Sequence, residues 1–139
     1  MKRSADLTVA ISTRDRPNAL RRCLTALLSG GVLPAEIVIV DQSRDGRTRQ
    51  IVEEYQTGPV SIRYIAHAGS GLGTSQNIAI GHAKCPVVAV TDDDCVPTAE
   101  WIATIERSFA GPDAVDVLTG RVLPLGPEQP GLYFGETPP

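Results

Sequence analysis

Val87-Val88-Ala89-Val90-Thr91 runs directly into Asp92-Asp93-Asp94. The first part is apolar or β-branched without alternation, which is the pattern of a strand covered on both faces. The acids that follow repel one another, and burying any of them unpaired is costly. A fold keeps such a cluster most readily where a cation neutralises it. Asp92 and Asp94 form an Asp-x-Asp spacing. Hard oxygen ligands of that kind suit Mg²⁺ or Mn²⁺, ions that keep waters and take phosphate oxygens at the same time. The stretch therefore reads as a buried strand whose carboxyl end carries a metal-assisted nucleotide or phosphate site. A solvated turn is the plainer alternative.

Outward from this run, similar strand patterns occur at residues 7–12, 36–41, 60–65 and 114–121. Helical periods lie between them. Leu20, Cys23, Leu24, Leu27 and Leu28 fall on one stripe, with Pro17 at the start and Gly30-Gly31 at the end. Further helices are predicted at about 47–56 (Ile51, Val52, Tyr55), 75–84 (Ile78, Ala79, Ala83) and 98–109 (Trp101, Ile102, Ile105, Phe109), the last with Thr98 as N-cap. Strands alternating with helices imply an α/β fold. It is a three-layer α/β/α arrangement around a mostly parallel, Rossmann-like sheet with right-handed crossovers. Ligands bind such sheets beyond the carboxyl ends of the strands. Residues 1–122 form the ligand-binding domain on this reading. Residues 123–139 hold five of the 11 prolines and read as a Pro/Gly-rich tail or the start of another unit.

Composition narrows the class. A chain of 139 residues with 42% hydrophobic content is one domain, long enough for a real core. Thirteen basic and 16 acidic residues are intermixed at a net charge of −3, which gives no electrostatic case for nucleic acid. Cys23, Cys85 and Cys95 are odd in number and lack Cys-x-x-Cys spacing. Reduced thiols and a cytoplasmic location follow as the simple expectation. No apolar run reaches the length of a transmembrane segment, and a signal peptide is not expected.

Polar residues gather where the strands end. Ser12-Thr13-Arg14-Asp15-Arg16-Pro17 follows the first strand and Asp41-Gln42-Ser43-Arg44-Asp45-Gly46 the second. The third leads into Gly69-Ser70-Gly71-Leu72-Gly73-Thr74-Ser75-Gln76-Asn77, and the fourth into the acids. Each loop alone has a blander reading, as a helix cap, a turn or a flexible glycine stretch. The glycines form neither a dinucleotide fingerprint nor a P-loop. His67 and His82 read as surface residues, and Trp101 as core.

Together these four segments resemble the nucleotide-sugar-binding half of family 2 glycosyltransferases, which have the GT-A fold. The similarity runs over about residues 7–125, on a sheet truncated after the fifth strand. It implies a metal-dependent transferase that binds a nucleotide-diphospho-sugar with Mn²⁺ or Mg²⁺. Ser12, Thr13, Arg14 and Asp15 would line the nucleobase pocket. Asp41 and Gln42 would reach base and ribose, and Gly71 and Asn77 would complete the pocket from the third loop. Asp92 and Asp93 would hold the ribose or a metal-bound water. Asp94, with Asp92 beside it, would ligate the ion. Departures from the family pattern stand at Gln42, where an Asp is common, at Arg14-Asp15 in place of an aromatic before Asn, and at Gln76 in place of Arg. The acceptor half with its general base is not recognised: Asp113, Asp116, Glu128 and Glu136 lack its context, so no catalytic residue is named. The alternatives are a receiver-like phosphoacceptor domain and a catalytically inactive interaction module. Self-association as a homodimer through an exposed sheet edge, or through the surface a missing half leaves, is a further expectation.

Overall fold

The apolar runs become strands because helices cover both of their faces. A computed structural model describes residues 1–126. The elements run β1 (Arg3–Thr13), α1 (Pro17–Ser29), β2 (Val32–Asp41), α2 (Arg47–Tyr55), β3 (Ser61–Ala66), α3 (Leu72–Gly81), β4 (Val87–Asp92) and α4 (Trp101–Ser108). The strands stand in the order β3-β2-β1-β4, all parallel. The larger core layer joins Leu7, Val9 and Ile11 of β1 and Ile37 and Ile39 of β2 to Leu20, Cys23, Leu24 and Leu27 of α1. Val52 of α2 and Ile102 and Ile105 of α4 complete it. Burying each of these leucines contributes about 2 kcal/mol. The opposite face pairs Ala10, Val38 and Val40 with Ala79 of α3. The chain thus has the three-layer α/β/α architecture.

Topology decides where a ligand goes. The chain steps from β1 to β2 to β3 in one direction, then crosses over through α3 on the other face and lands β4 on the far side of β1. Parallel crossovers keep their right-handed sense only if the covering face changes with the direction. The reversal opens a crevice beyond the carboxyl ends of β1 and β4, the place where open α/β sheets take ligands.

Several boundaries differ from the sequence reading, each for a physical reason. β1 and β2 begin earlier than expected, pairing from Arg3 and Val32 with an irregularity between Ala5 and Thr8. Pro34 lies in that stretch, where it cannot donate to a ladder. β3 joins β2 only from Glu36 onward, so Pro34 needs no partner on that side. α3 begins at Leu72 because Gly71 takes φ +103°, a turn into the helix that suits glycine. It stops at Gly81, and the Lys84 N–H donates to the buried Glu36 carboxylate at 2.6 Å rather than continuing the helix. Thr98 precedes α4, but its carbonyl, not its side chain, accepts the Trp101 N–H at 3.0 Å.

The fifth strand expected at 114–121 does not form. Val115, Val117 and Leu118 are exposed there, and the segment pairs with none of the four strands. An apolar run becomes a strand only beside an edge that can hydrogen-bond it. Of the tail, residues 127–139, including Glu128 and Glu136, lie outside the described part.

Candidate functional site

The strand ends bring the first loop and the acids together. Ser12 stands opposite Asp92 in the β1–β4 ladder, and Thr13 opposite Asp41 in the β1–β2 ladder. As β4 ends, its acids separate: Asp92 and Asp94 are exposed, whereas Asp93 is fully buried. Thr13 Oγ1 donates to Asp93 Oδ2 at 2.7 Å. Arg16, one residue before α1, lays its two terminal nitrogens across the run, 3.1 Å from Asp93 Oδ1 and 2.9 Å from Asp94 Oδ2. The approach to Asp93 Oδ1 gives charge without hydrogen-bond alignment, so that oxygen keeps no hydrogen-bond partner. Burial pushes the Asp93 carboxyl above the usual range. Thr13 and Arg16 oppose the rise, and the charges of Asp94 and Asp92 add to it.

The outward acids fit a divalent ion. Asp92, Asp94 and Cys95 present donor atoms that all lie within 4.8 Å of one another. A turn closed by the Cys95 N–H on the Asp92 carbonyl, at 3.2 Å, folds them onto one point. Beside Asp92, Ser12 is only 7% exposed, yet its hydroxyl has no hydrogen-bond partner among the described residues. Buried hydroxyls are nearly always paired, which sets Ser12 apart from the paired Thr13 hydroxyl of the crevice. Cys23 is a contrasting thiol. It is buried in the core, and burial foremost, with Cys95 and the acids adding, pushes it up to about 12, which keeps it protonated.

The remaining loops are tied to one another. Asp41 Oδ1 accepts the Ser43 N–H at 2.8 Å, and Oδ2 accepts the Tyr64 hydroxyl at 2.7 Å. Asp41 is 3% exposed and holds its own loop, not a surface facing solvent. Asp15 has φ 54°, donates its N–H to Ser43 Oγ at 2.8 Å and accepts the Arg44 N–H on Oδ1 at 3.3 Å. The first loop is thereby clasped to the second at some backbone strain. Gln42 Nε2 donates to the Gly71 carbonyl at 3.4 Å, joining the second loop to the third. Arg14 is exposed with its guanidinium 3.7 Å from Asp15, and Asn77 is exposed on α3.

The structure therefore gathers Ser12, Thr13, Asp92, Asp93 and Asp94 at the β1–β4 crevice. Asp15 and Asp41 serve the loop framework, and Gln42 and Gly71 link two loops. The sequence reading did not single out Arg16, Tyr64 or Cys95. Their neighbours in sequence carry the pattern, but only tertiary pairing reveals them. Asp113 and Asp116 are exposed beyond α4. The phosphoacceptor alternative gains no support, because the acids cluster after β4. Among the described residues no helix is long and apolar enough to cross a membrane.

Comparison with known proteins agrees with this fold. The family model described as glycosyl transferase family 2 matches residues 8–129. Glycosyltransferase GlyA of Streptococcus pneumoniae is 22% identical over 128 residues, covering 92% of this chain and 18% of that protein. Validoxylamine A glucosyltransferase of Streptomyces hygroscopicus subsp. limoneus is 25% identical, covering 89% of this chain and 28% of that one. The curated relatives are longer, and the matches take in only 18 to 39% of their lengths. Among solved structures, a mannosyltransferase from Pyrobaculum calidifontis in complex with GDP-Man and Mn²⁺ superposes with a TM-score of 0.67 at 24% identity, over 78% of this chain and 33% of that one. The S. aureus TarS structure in complex with UDP gives 0.67 at 24% identity, over 78% and 32%. These two show a shared GT-A fold. With the family model spanning most of its length, the chain belongs to glycosyl transferase family 2.

Proposed function

We propose that residues 1–122 are the donor-binding part of a metal-dependent glycosyltransferase that takes a nucleotide-diphospho-sugar, with residues 123–139 leading toward acceptor-binding structure. One observation carries the reading. Asp92 and Asp94 face outward at the β1–β4 switch point while the buried Asp93 is held beneath them by Thr13 and Arg16. The mannosyltransferase with GDP-Man and Mn²⁺ shares the fold and adds support.

In this reading Asp94 and Asp92 would hold Mn²⁺ or Mg²⁺. When bound, the ion would offset negative charge building on the departing nucleoside diphosphate. The chain's own residues do the rest. Asp93 fixes the height of the acidic loop through Thr13, and Ser12 offers an unused hydroxyl beside Asp92. Arg16 offsets the charge of Asp93 and Asp94 and would stand beside the diphosphate. Gln42 and the Gly71 loop, with Ser12, Thr13, Arg14 and Asn77, border the nucleoside. Gln42 has both a donor and an acceptor, so it admits nucleobases other than uracil.

Calorimetry with UDP, GDP, ADP and CDP in the presence of Mn²⁺ tests the proposal. One of them is expected to bind in the micromolar range, with chelation abolishing the heat and Asp94→Ala weakening binding at least roughly tenfold. Absence of metal-dependent binding by any nucleotide at millimolar concentration would reject it.

A further inference from the structure

Resting on the donor-site reading above, we propose that Cys95 Sγ is a third protein ligand of the ion, so that the site prefers the more thiophilic Co²⁺ or Zn²⁺ over Mg²⁺. Two independent observations meet here. The first is the cluster of Asp92, Asp94 and Cys95, whose ligand atoms already stand within 4.8 Å of one another. Atoms bound to one ion at 2.0–2.3 Å lie about 3 to 4 Å apart, so only small side-chain rotations remain. The second is the Ser12 hydroxyl, more than nine-tenths buried and unpartnered. Ser12 and Asp92 are in register on adjacent parallel strands, so their side chains project to the same face of the sheet. That hydroxyl is enclosed beside Asp92, the first residue of the cluster.

The turn that brings Cys95 back to Asp92 is fixed by the 3.2 Å hydrogen bond from the Cys95 N–H to the Asp92 carbonyl. A thiol following an Asp-x-Asp by one residue is thereby placed among the ligands instead of past them. Sulfur is a soft donor and discriminates strongly against Mg²⁺, whereas carboxylates alone accept it. Ligation converts the thiol to a thiolate, forms a sulfur–metal bond and releases one proton to solvent, with no change of oxidation state. Cys23 does not compete, being buried in the α1 core.

Cobalt titration of the full chain distinguishes the possibilities, because thiolate–Co²⁺ bonds give an intense near-ultraviolet charge-transfer band that carboxylates do not. The band is expected in the wild type, in Cys85→Ser and in Cys23→Ala. It is expected to vanish in Cys95→Ser, with circular dichroism unchanged. Cys95→Asp is expected to bind Mg²⁺ roughly tenfold more tightly than the wild type does. A band that survives Cys95→Ser, or Co²⁺ binding without any band, overturns the proposal while leaving the donor site standing if Mn²⁺-dependent nucleotide binding persists. Absence of Mn²⁺-dependent nucleotide binding in the wild type as well would reject both.

Discussion

Glu36 and Asp93 are both buried carboxylates on this sheet, and the fold treats them in opposite ways. Glu36 lies on the α3 face of β2, away from the strand ends. Its Oε1 accepts the Thr8 hydroxyl at 2.7 Å and the Lys84 N–H at 2.6 Å, with Arg63 4.0 Å from Oε2. Burial opposes its ionisation, but these hydrogen bonds and the charges of Arg63 and Lys84 win, and its pKa is lowered. Asp93 has one hydroxyl, a misaligned guanidinium and an oxygen without a hydrogen bond, and its pKa is raised. The saturated carboxylate is a fastener joining the α3–β4 connection to β1 and β2. The unsaturated one sits beneath the proposed cation site.

The sharpest way to break this contrast is to remove the fastener. Glu36→Ala leaves the Thr8 hydroxyl and the Lys84 N–H without their acceptor and is expected to cost about 3 kcal/mol in urea unfolding. A loss under about 1 kcal/mol would mean that Glu36 is no fastener. The pH dependence follows with its sign. Because the folded-state pKa of Glu36 is depressed, its contribution is present above the unfolded value of about 4.3 and disappears as pH falls through the folded value. The stability gap between wild type and Glu36→Gln should therefore be constant near neutrality and shrink below about pH 4. Unfolding curves across that window check it, and a gap that widens on acidification would contradict the assignment.

Asp93→Asn should cost less, under about 1 kcal/mol, because the amide oxygen still accepts from Thr13 and a poorly solvated charge is removed. Mn²⁺ affinity measured on the same variant should nevertheless fall, since the loop loses negative charge. The smallest effect belongs to Arg16→Gln. Arg16 is half exposed, so its loss should change stability by no more than about 0.5 kcal/mol. Affinity for Mn²⁺ alone should rise a few-fold as a competing cation leaves Asp94. If Arg16→Gln lowers the affinity for the free ion, Arg16 is not a counter-charge to the acids.

Local chemistry made part of this legible in the sequence. The α1 stripe from Leu20 to Leu28 repeats every turn, so a window of the chain displays it. The strand cores at Ile37–Val40 and Val87–Thr91 announce burial on both faces through their composition. Residues 114–121 have a similar composition and were misread, because a strand needs a neighbouring edge that no local window contains. The site divides the same way. That the acids lie at a strand end follows from their position. That Asp93 turns inward, that Arg16 spans two of them and that Asp41 is consumed by Tyr64 and Ser43 follow from pairings across the fold. Cys95 was visible as a thiol and became a neighbour of Asp92 and Asp94 only through the turn.

The bond from Thr13 to Asp93 joins residues 80 positions apart. β1, β2 and β3 need only the first 66 residues to pair, whereas β4 must travel back across α3 to reach β1. During synthesis the chain therefore possesses most of its sheet well before it possesses an acidic pocket. Closing so long a loop is slow, and until it closes the β1 edge is exposed to other chains. A nascent or truncated copy ending before residue 93 would expose the β1 edge while lacking Asp93 and Asp94, so the acidic pocket forms late and only when β4 reaches β1.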